Sequence, residues 1–327
     1  MPLMPRNHSL LRAMPWAAIL LAAGLAHARP ALAAHCGLTG SPSFNFGSVR
    51  LGEAASTTAA AQYTCAGDPG QALYIRVCLA PAGNPPLYMK AGSARVSYAL
   101  YSASQPDSPL QSASAQGWAQ ATIFADGDRG VPGSFPLLAK IPGGQTSLAA
   151  GDYHDNDEPL YLAYASAENE NMLPECSMAT AHAAGVLGAQ VNIANTCEIQ
   201  NVSPMNFGTL SAAGGAPLSA DATARLDVQC PVGQAISIGL NNGLHAGANG
   251  AGAPRSLCGP AGGCVGYDLY QDSGHTRRWG DQRNVDTLQV PASTGANTSY
   301  TIYGKIPSQP WPAPGTYSDT VTVTLTY

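Results

Sequence analysis

Apolar side chains recur along this chain at every second position, in short runs broken by glycine, proline and small polar residues. Leu73-Tyr74-Ile75-Arg76-Val77, Val96-Ser97-Tyr98-Ala99-Leu100-Tyr101, Ala235-Ile236-Ser237-Ile238-Gly239 and Val265-Gly266-Tyr267-Asp268-Leu269-Tyr270 all follow this rhythm. Period two sends successive side chains to opposite faces of an extended backbone, so each run predicts a strand with one buried face. The last eight residues, Thr320-Val321-Thr322-Val323-Thr324-Leu325-Thr326-Tyr327, are the clearest case, with Val321, Val323 and Leu325 on one face. Many such strands separated by turn-rich segments predict an all-β protein.

The order of these runs repeats. Cys36-Gly37-Leu38 is followed by Asn45-Phe46-Gly47, and Cys197-Glu198-Ile199 by Asn206-Phe207-Gly208 at the same offset. A stretch rich in small residues then leads to Cys65 in one half and Cys230 in the other. Tyr98-Ala99-Leu100-Tyr101 corresponds to Tyr267-Asp268-Leu269-Tyr270, with Trp118 and Trp279 following at different distances. Lys140-Ile141-Pro142 with Gly151-Asp152-Tyr153 corresponds to Lys305-Ile306-Pro307 with Gly315-Thr316-Tyr317. So many matches in one order describe two copies of one domain, each built as a sandwich of short strands.

Composition and charge narrow the class. Residues 1–34 carry Arg6 and Arg12, an apolar run from Trp16 to Ala23 and the small residues Ala31-Leu32-Ala33-Ala34, which is the pattern of a cleaved secretory leader. The apolar run is shorter than the ~20 residues that span a bilayer. Eight cysteines, an even number, all follow the leader, which favours disulfides in an oxidising compartment. Loss of the leader, with three arginines and no acid, takes the net charge from −5 to −8 and argues against a nucleic-acid partner. Charged residues make up only 11% of the chain, which does not suit long solvated helices.

In the order found here, the leading cysteine, the Asn-Phe-Gly, the second cysteine, the Tyr-x-Leu-Tyr strand, the Lys-Ile-Pro, the Gly-x-Tyr and the terminal strand resemble the spore coat protein U domain. That domain is used by pilin subunits of archaic chaperone-usher fimbriae. The resemblance implies immunoglobulin-like sandwiches, the second lacking its last strand, over residues 35–193 and 194–327. It also implies partners: a periplasmic chaperone and then the next pilin subunit, each supplying the missing strand, and an outer-membrane usher. Val321, Val323, Leu325 and Tyr327 would form the strand-accepting edge, since an apolar strand with unpaired backbone groups calls for another strand beside it.

The first repeat continues past its matching strand, Pro159 to Ala165, through a loop to Gly185-Val186-Leu187-Gly188-Ala189-Gln190-Val191-Asn192-Ile193, a strand with which it can complete itself. The few residues between the leader and Cys36 leave no room for a donor segment of a dozen residues. A subunit that accepts a strand and donates none belongs at the end of a fibre. The expectation is therefore a non-enzymatic tip adhesin of a fimbria, exported through the periplasm to the cell surface and serving attachment and biofilm formation. An ordinary pilin or a secreted coat protein is the alternative within the class. A secreted hydrolase or a glycan-binding accessory protein is the alternative outside it.

The chain has no Gly-x-Ser-x-Gly, His-Glu-x-x-His or phosphate-loop pattern, and the expectation is no catalytic residue, metal or cofactor. Gly151 to Glu158 is acidic but lacks the spacing of a calcium loop, so a solvated turn is expected there. Arg277-Arg278-Trp279 is expected as a solvated loop beside a packed tryptophan. Adhesion candidates are apolar residues in loops: Met172, Leu173 and Pro174 in the turn before the first domain's last strand, and Pro86, Leu87 and Tyr88. The turn holding Met172 should lie far from the linker, because the last strand must run toward it. Trp118 and Phe124 are expected in the core.

Equivalent positions in the repeats pair Cys36 with Cys65 and Cys197 with Cys230, each closing a loop for which the entropy model gives ~3 to 4 kcal/mol. Cys258 with Cys264 is a local clip, and Cys78 with Cys176 follows by elimination. Peptide mapping without reduction should recover these four pairs. A bridge from a cysteine before residue 190 to one after it would refute the two-domain division.

Overall fold

The computed structural model describes residues 33–113, 117–248, 253–260 and 262–327. The leader read over 1–34 therefore lies outside the described residues except at its last two positions. The first half forms β1 (Ala34–Leu38), β2 (Ser43–Val49), β3 (Ala55–Gly67), β4 (Ala72–Pro81), β5 (Leu87–Ala91), β6 (Ala94–Ser102), β7 (Gln105–Pro109), β8 (Ala119–Asp126), β9 (Val131–Ile141), β10 (Gly151–Ala167) and β11 (Ala181–Ile193). The second half forms β12 (Glu198–Val202), β13 (Leu218–Gln229), β14 (Ile236–Leu240), β15 (Arg255–Cys258), β16 (Cys264–Tyr270), β17 (Leu288–Val290), β18 (Thr298–Gln309) and β19 (Val323–Thr326).

Pairing turns the repeat into matching architecture. In the first half one layer runs β1-β3-β9-β6-β5 and the other β8-β4-β10-β11-β2, with a single bridge, His154 to Lys90, between β10 and β5. In the second half the layers are β12-β13-β18-β16-β15 and β17-β14-β19. Strand for strand, the second set reproduces the first except for β11 and β2. Both halves are immunoglobulin-like sandwiches in tandem.

Each sandwich closes over its own core. Tyr63, Leu73, Ile75, Val77, Leu79, Tyr98, Leu100, Leu160 and Leu162 belong to the first, and Leu226, Ile238, Leu240, Leu269 and Trp279 to the second. The four cysteine pairs are Cys36–Cys65 and Cys197–Cys230 at equivalent positions of the repeat, the local clip Cys258–Cys264, and Cys78–Cys176. Cys36–Cys65 ties β1 to β3 at directly opposed positions.

Two local expectations are corrected. The acidic stretch from Gly151 to Glu158 is not a solvated turn but the first half of β10. A bulge between Asp155 and Glu158 keeps this polar run within the sheet and turns Asp155 inward. The buried Asp155 carboxylate accepts a hydrogen bond from the Tyr98 hydroxyl at 2.8 Å. Burial, with Asp155 beside it, pushes the Tyr98 hydroxyl far above the ordinary phenol range.

Arg278 likewise does not lie in a solvated loop. It bonds Asp268 through Nε at 3.0 Å and pairs with Asp286. Asp268 also pairs with Arg255, a fully buried guanidinium that donates to the carbonyls of Asn241, Leu240 and Trp279. Burial pulls the Arg255 pKa down and Asp268 opposes it, but an arginine stays charged under either influence. Trp279 is buried as expected, its Nε1 donating to Ile238 O at 2.8 Å.

Removing one partner of a buried, hydrogen-bonded ion pair strands the other charge, at a cost of roughly 3 to 5 kcal/mol. Asp268→Ala should therefore lower the denaturation midpoint of the second domain sharply. Glu53→Ala, which breaks the exposed pair with Arg50, should leave it unchanged. Equal midpoints for the two variants would show that the Arg255 network does not hold this domain together.

Candidate functional surfaces: an open strand edge and a pinned apolar turn

In the first domain β10 is flanked on both sides. It pairs with β4 from Leu160 to Ala167 and with β11 from Gly151 to Tyr164, and β11 pairs in parallel with β2. In the second domain β19 pairs with β14 alone, Val323 opposite Leu240 and Leu325 opposite Ile238. No strand among the described residues covers its other side. The stretch 203–210, which carries the counterpart of the β2 Asn-Phe-Gly, adopts no strand.

The side chains register the same difference. Phe44 and Leu187 in the first domain are fully buried, and Ala189, Val191 and Ile193 nearly so. Met205, which aligns with Phe44, is only half-buried, as are Phe207, Val321, Val323 and Leu325 along the edge. Tyr327, Ile199, Val202 and Leu210 are exposed. Apolar side chains of β19 and of the 203–210 stretch are thus incompletely covered, and the side of β19 away from β14 presents backbone donors and acceptors.

A buried carboxylate holds the approach to β19 in place. Asp319 accepts from the Tyr267 hydroxyl at 2.8 Å and from the Leu244 amide at 3.0 Å, and its Oδ1 lies 3.1 Å from His245 Nδ1. Burial and this hydrogen bond push the Tyr267 hydroxyl far above its usual range. Asn241 adds a second tie, accepting from the Thr322 amide at 2.8 Å and donating its own amide to Thr320–Thr322 backbone at Thr322 O, 3.1 Å away. Gly243 sits at φ +78°, and a Cβ there would collide with Asp319, so the loop demands glycine on both counts. Tyr267–Asp319 is the counterpart of Tyr98–Asp155. The signal was present in both repeats as an aspartate two residues after the Gly-x-Tyr, but pairing it with the distant tyrosine required the fold.

The turn between β10 and β11 lies at the end opposite the linker, since Ile193 pairs with Gly151 and Ala181 with Tyr164. Three contacts fix it. Cys176 is bonded to Cys78 of β4, Arg76 Nη1 donates to Pro174 O at 3.1 Å and to Glu175 Oε1 at 3.0 Å, and Leu173 is tucked underneath at 8% exposure. Leu173 is thus not the exposed side chain that sequence led one to expect, and Pro174 is half-buried. Met172 remains 74% exposed, joined by Met178 at 64%, a residue not anticipated. Phe124 is also not a core residue: it is half exposed and packs at 5.1 Å on Tyr74, which pairs with the last residue of β10.

Pro86, Leu87 and Tyr88 do not share this end. Leu87 is buried in the core, Tyr88 is partly exposed with the Arg95 guanidinium 5.7 Å from its ring, and Pro86 is exposed. Pro86 lines a cleft of about 690 Å³ with Tyr98, Tyr101, Lys140 and Pro142. Trp118 is half-buried against the Cys78–Cys176 bridge. Among the described residues no three His, Cys, Asp or Glu side chains form a metal-binding group. No described helix is long and apolar enough to cross a membrane.

Known proteins place this architecture. The crystal structure of the CsuC-CsuE chaperone-tip adhesion subunit pre-assembly complex, from archaic chaperone-usher Csu pili of Acinetobacter baumannii, aligns with a TM-score of 0.50 at 16% identity. That alignment covers 90% of this chain and 100% of the other, and it shows a shared fold. The CupB6 tip adhesin from Pseudomonas aeruginosa aligns over 90% of this chain and 93% of its own, at 12% identity and a TM-score of 0.34. No curated protein sequence matches the chain. The Spore Coat Protein U domain pattern matches residues 22–156 and again 183–324, most of the sequence, and the chain belongs to that family.

Proposed function

We propose that this chain is a non-enzymatic subunit of a chaperone-usher pilus, placed at the tip, in which the second domain takes up a strand and the first domain attaches to surfaces. The observation that carries this reading is the contrast between β10, enclosed by β4 and β11, and β19, which has β14 alone. An apolar edge of this kind is held soluble by strand addition, first from a periplasmic chaperone and then from the neighbouring subunit at the outer-membrane usher. The fold shared with a chaperone-bound tip subunit supports the same partners.

Attachment is assigned to the turn carrying Met172 and Met178. It lies far from the linker, its backbone is fixed by a disulfide and an arginine, and its two methionines project from that rigid base. Fixing the turn in advance lowers the entropy lost on contact, and methionine adapts its shape to varied apolar surfaces. Each buried methionine contributes on the order of 1.5 to 3 kcal/mol, and many fibres acting together multiply a weak contact into firm adhesion and biofilm growth.

Two variants separate the roles. Val323→Asp with Leu325→Asp should abolish pilus assembly, because charge is placed in the groove that receives the strand. Met172→Ser with Met178→Ser should leave pilus yield unchanged while adherent cell number on hydrophobic plastic falls by at least roughly tenfold, since the two lost contacts together exceed about 1.4 kcal/mol. Normal yield from the first variant refutes strand uptake at β19. Normal adhesion by the second at normal yield refutes attachment through this turn.

A further inference from the structure

The family pattern begins at residue 22 and again at residue 183, in each case fourteen residues ahead of a leading cysteine, Cys36 or Cys197. In the second repeat that leading stretch is β11 followed directly by Ala194, Asn195 and Thr196. By sequence frame, β11 opens the second repeat. By hydrogen bonding, it is the last strand of the first domain, antiparallel to β10 and parallel to β2. The intervening residues 157–182, which neither match includes, are the end of β10 and the turn holding Cys176.

We propose that β11 is the donor strand of the second repeat inserted into the first, so that the two domains form one donor–acceptor pair closed within a single chain. The fit is that of a donor. Leu187, Ala189, Val191 and Ile193 point inward at alternate positions and are all buried. Two positions further back stands Gly185, where a Cβ would lie 2.5 Å from Leu38 Cδ1, so a larger residue there would have to push the end of the Leu38 side chain aside. The turn 168–180 and its Cys78–Cys176 bridge then act as a tether that makes the exchange permanent. Among the described residues the second domain has no bridge equivalent to Cys78–Cys176.

This inference rests on the reading of β19 as an open acceptor and goes one step past it. If both domains are acceptors of one kind, the strand that fills the first also fits the second. It would run antiparallel to β19 and beside Met205 and Phe207, covering exposed Ile199 where β11 covers Leu38. The recognised chemistry is an extended segment with Leu, Ala, Val and Ile at alternate positions.

The test uses the full chain and a synthetic peptide of residues 181–193. Amide hydrogen exchange is followed at Val323–Thr326 with and without the peptide. One peptide should bind per chain and slow exchange there by roughly tenfold or more, with no change in β10. A peptide with Leu187→Asp and Val191→Asp should give no slowing. A second chain carries a copy of residues 168–193 after Tyr327, with Cys176→Ser in the copy, and should show the same protection without added peptide. Protection by either route supports the inference. Rapid exchange at β19 that neither peptide nor appended copy slows overturns it while leaving the open edge intact. Slow exchange at β19 in the unaltered chain removes the open edge, and the inference with it.

Discussion

Every backbone amide and carbonyl in a sheet needs a partner, and the organisation of this molecule turns on which strands have two neighbours and which have one. From Leu160 to Tyr164 the peptide groups of β10 are matched on both sides, by β4 and by β11. Those of β19 are matched on one side, beside side chains that are only half-buried. Because hydrophobic closure and hydrogen-bond closure fail along the same line, a single incoming strand can satisfy both at once. An edge of this shape is complementary to an extended apolar segment.

The second domain compensates elsewhere. Its β14 is half the length of β4, and where β14 stops, the guanidinium of Arg255 takes up the carbonyls of Leu240 and Asn241. Asp268 and Arg278 complete the charge balance around it. Asp319 and Asn241 fasten the backbone leading into β19, so the edge is already in strand geometry. Polar groups placed where a longer sheet would run keep this edge in shape.

Much of this was legible in the sequence because it rests on local rhythm. Period-two alternation located β4, β6, β14 and β16, and the ordered repeat gave both domains and the cysteine pairs. What escaped depends on contacts between distant segments. The acidic run in β10 looks like a turn until a bulge and the Tyr98 hydroxyl make one carboxylate an interior group. Arg255 stands in a glycine-rich, featureless context, and only the carbonyls converging on it explain its burial. Leu173 and Met172 are adjacent and similar in hydropathy, yet the 3-10 turn at Glu170–Met172 sends one inward and the other out.

The direction of β11 has a mechanical meaning. A pull applied at the Met172 turn and resisted at the linker acts along the axis of this strand, since its two ends face those two points. Loaded lengthwise, the hydrogen bonds to β10 and β2 are strained together in shear and must fail as a group, whereas a strand peeled from one end loses them singly. The Cys78–Cys176 bond delivers the same load into β4 before it reaches β11. A pull from one end of the first sandwich to the other would run along its longest paired strands.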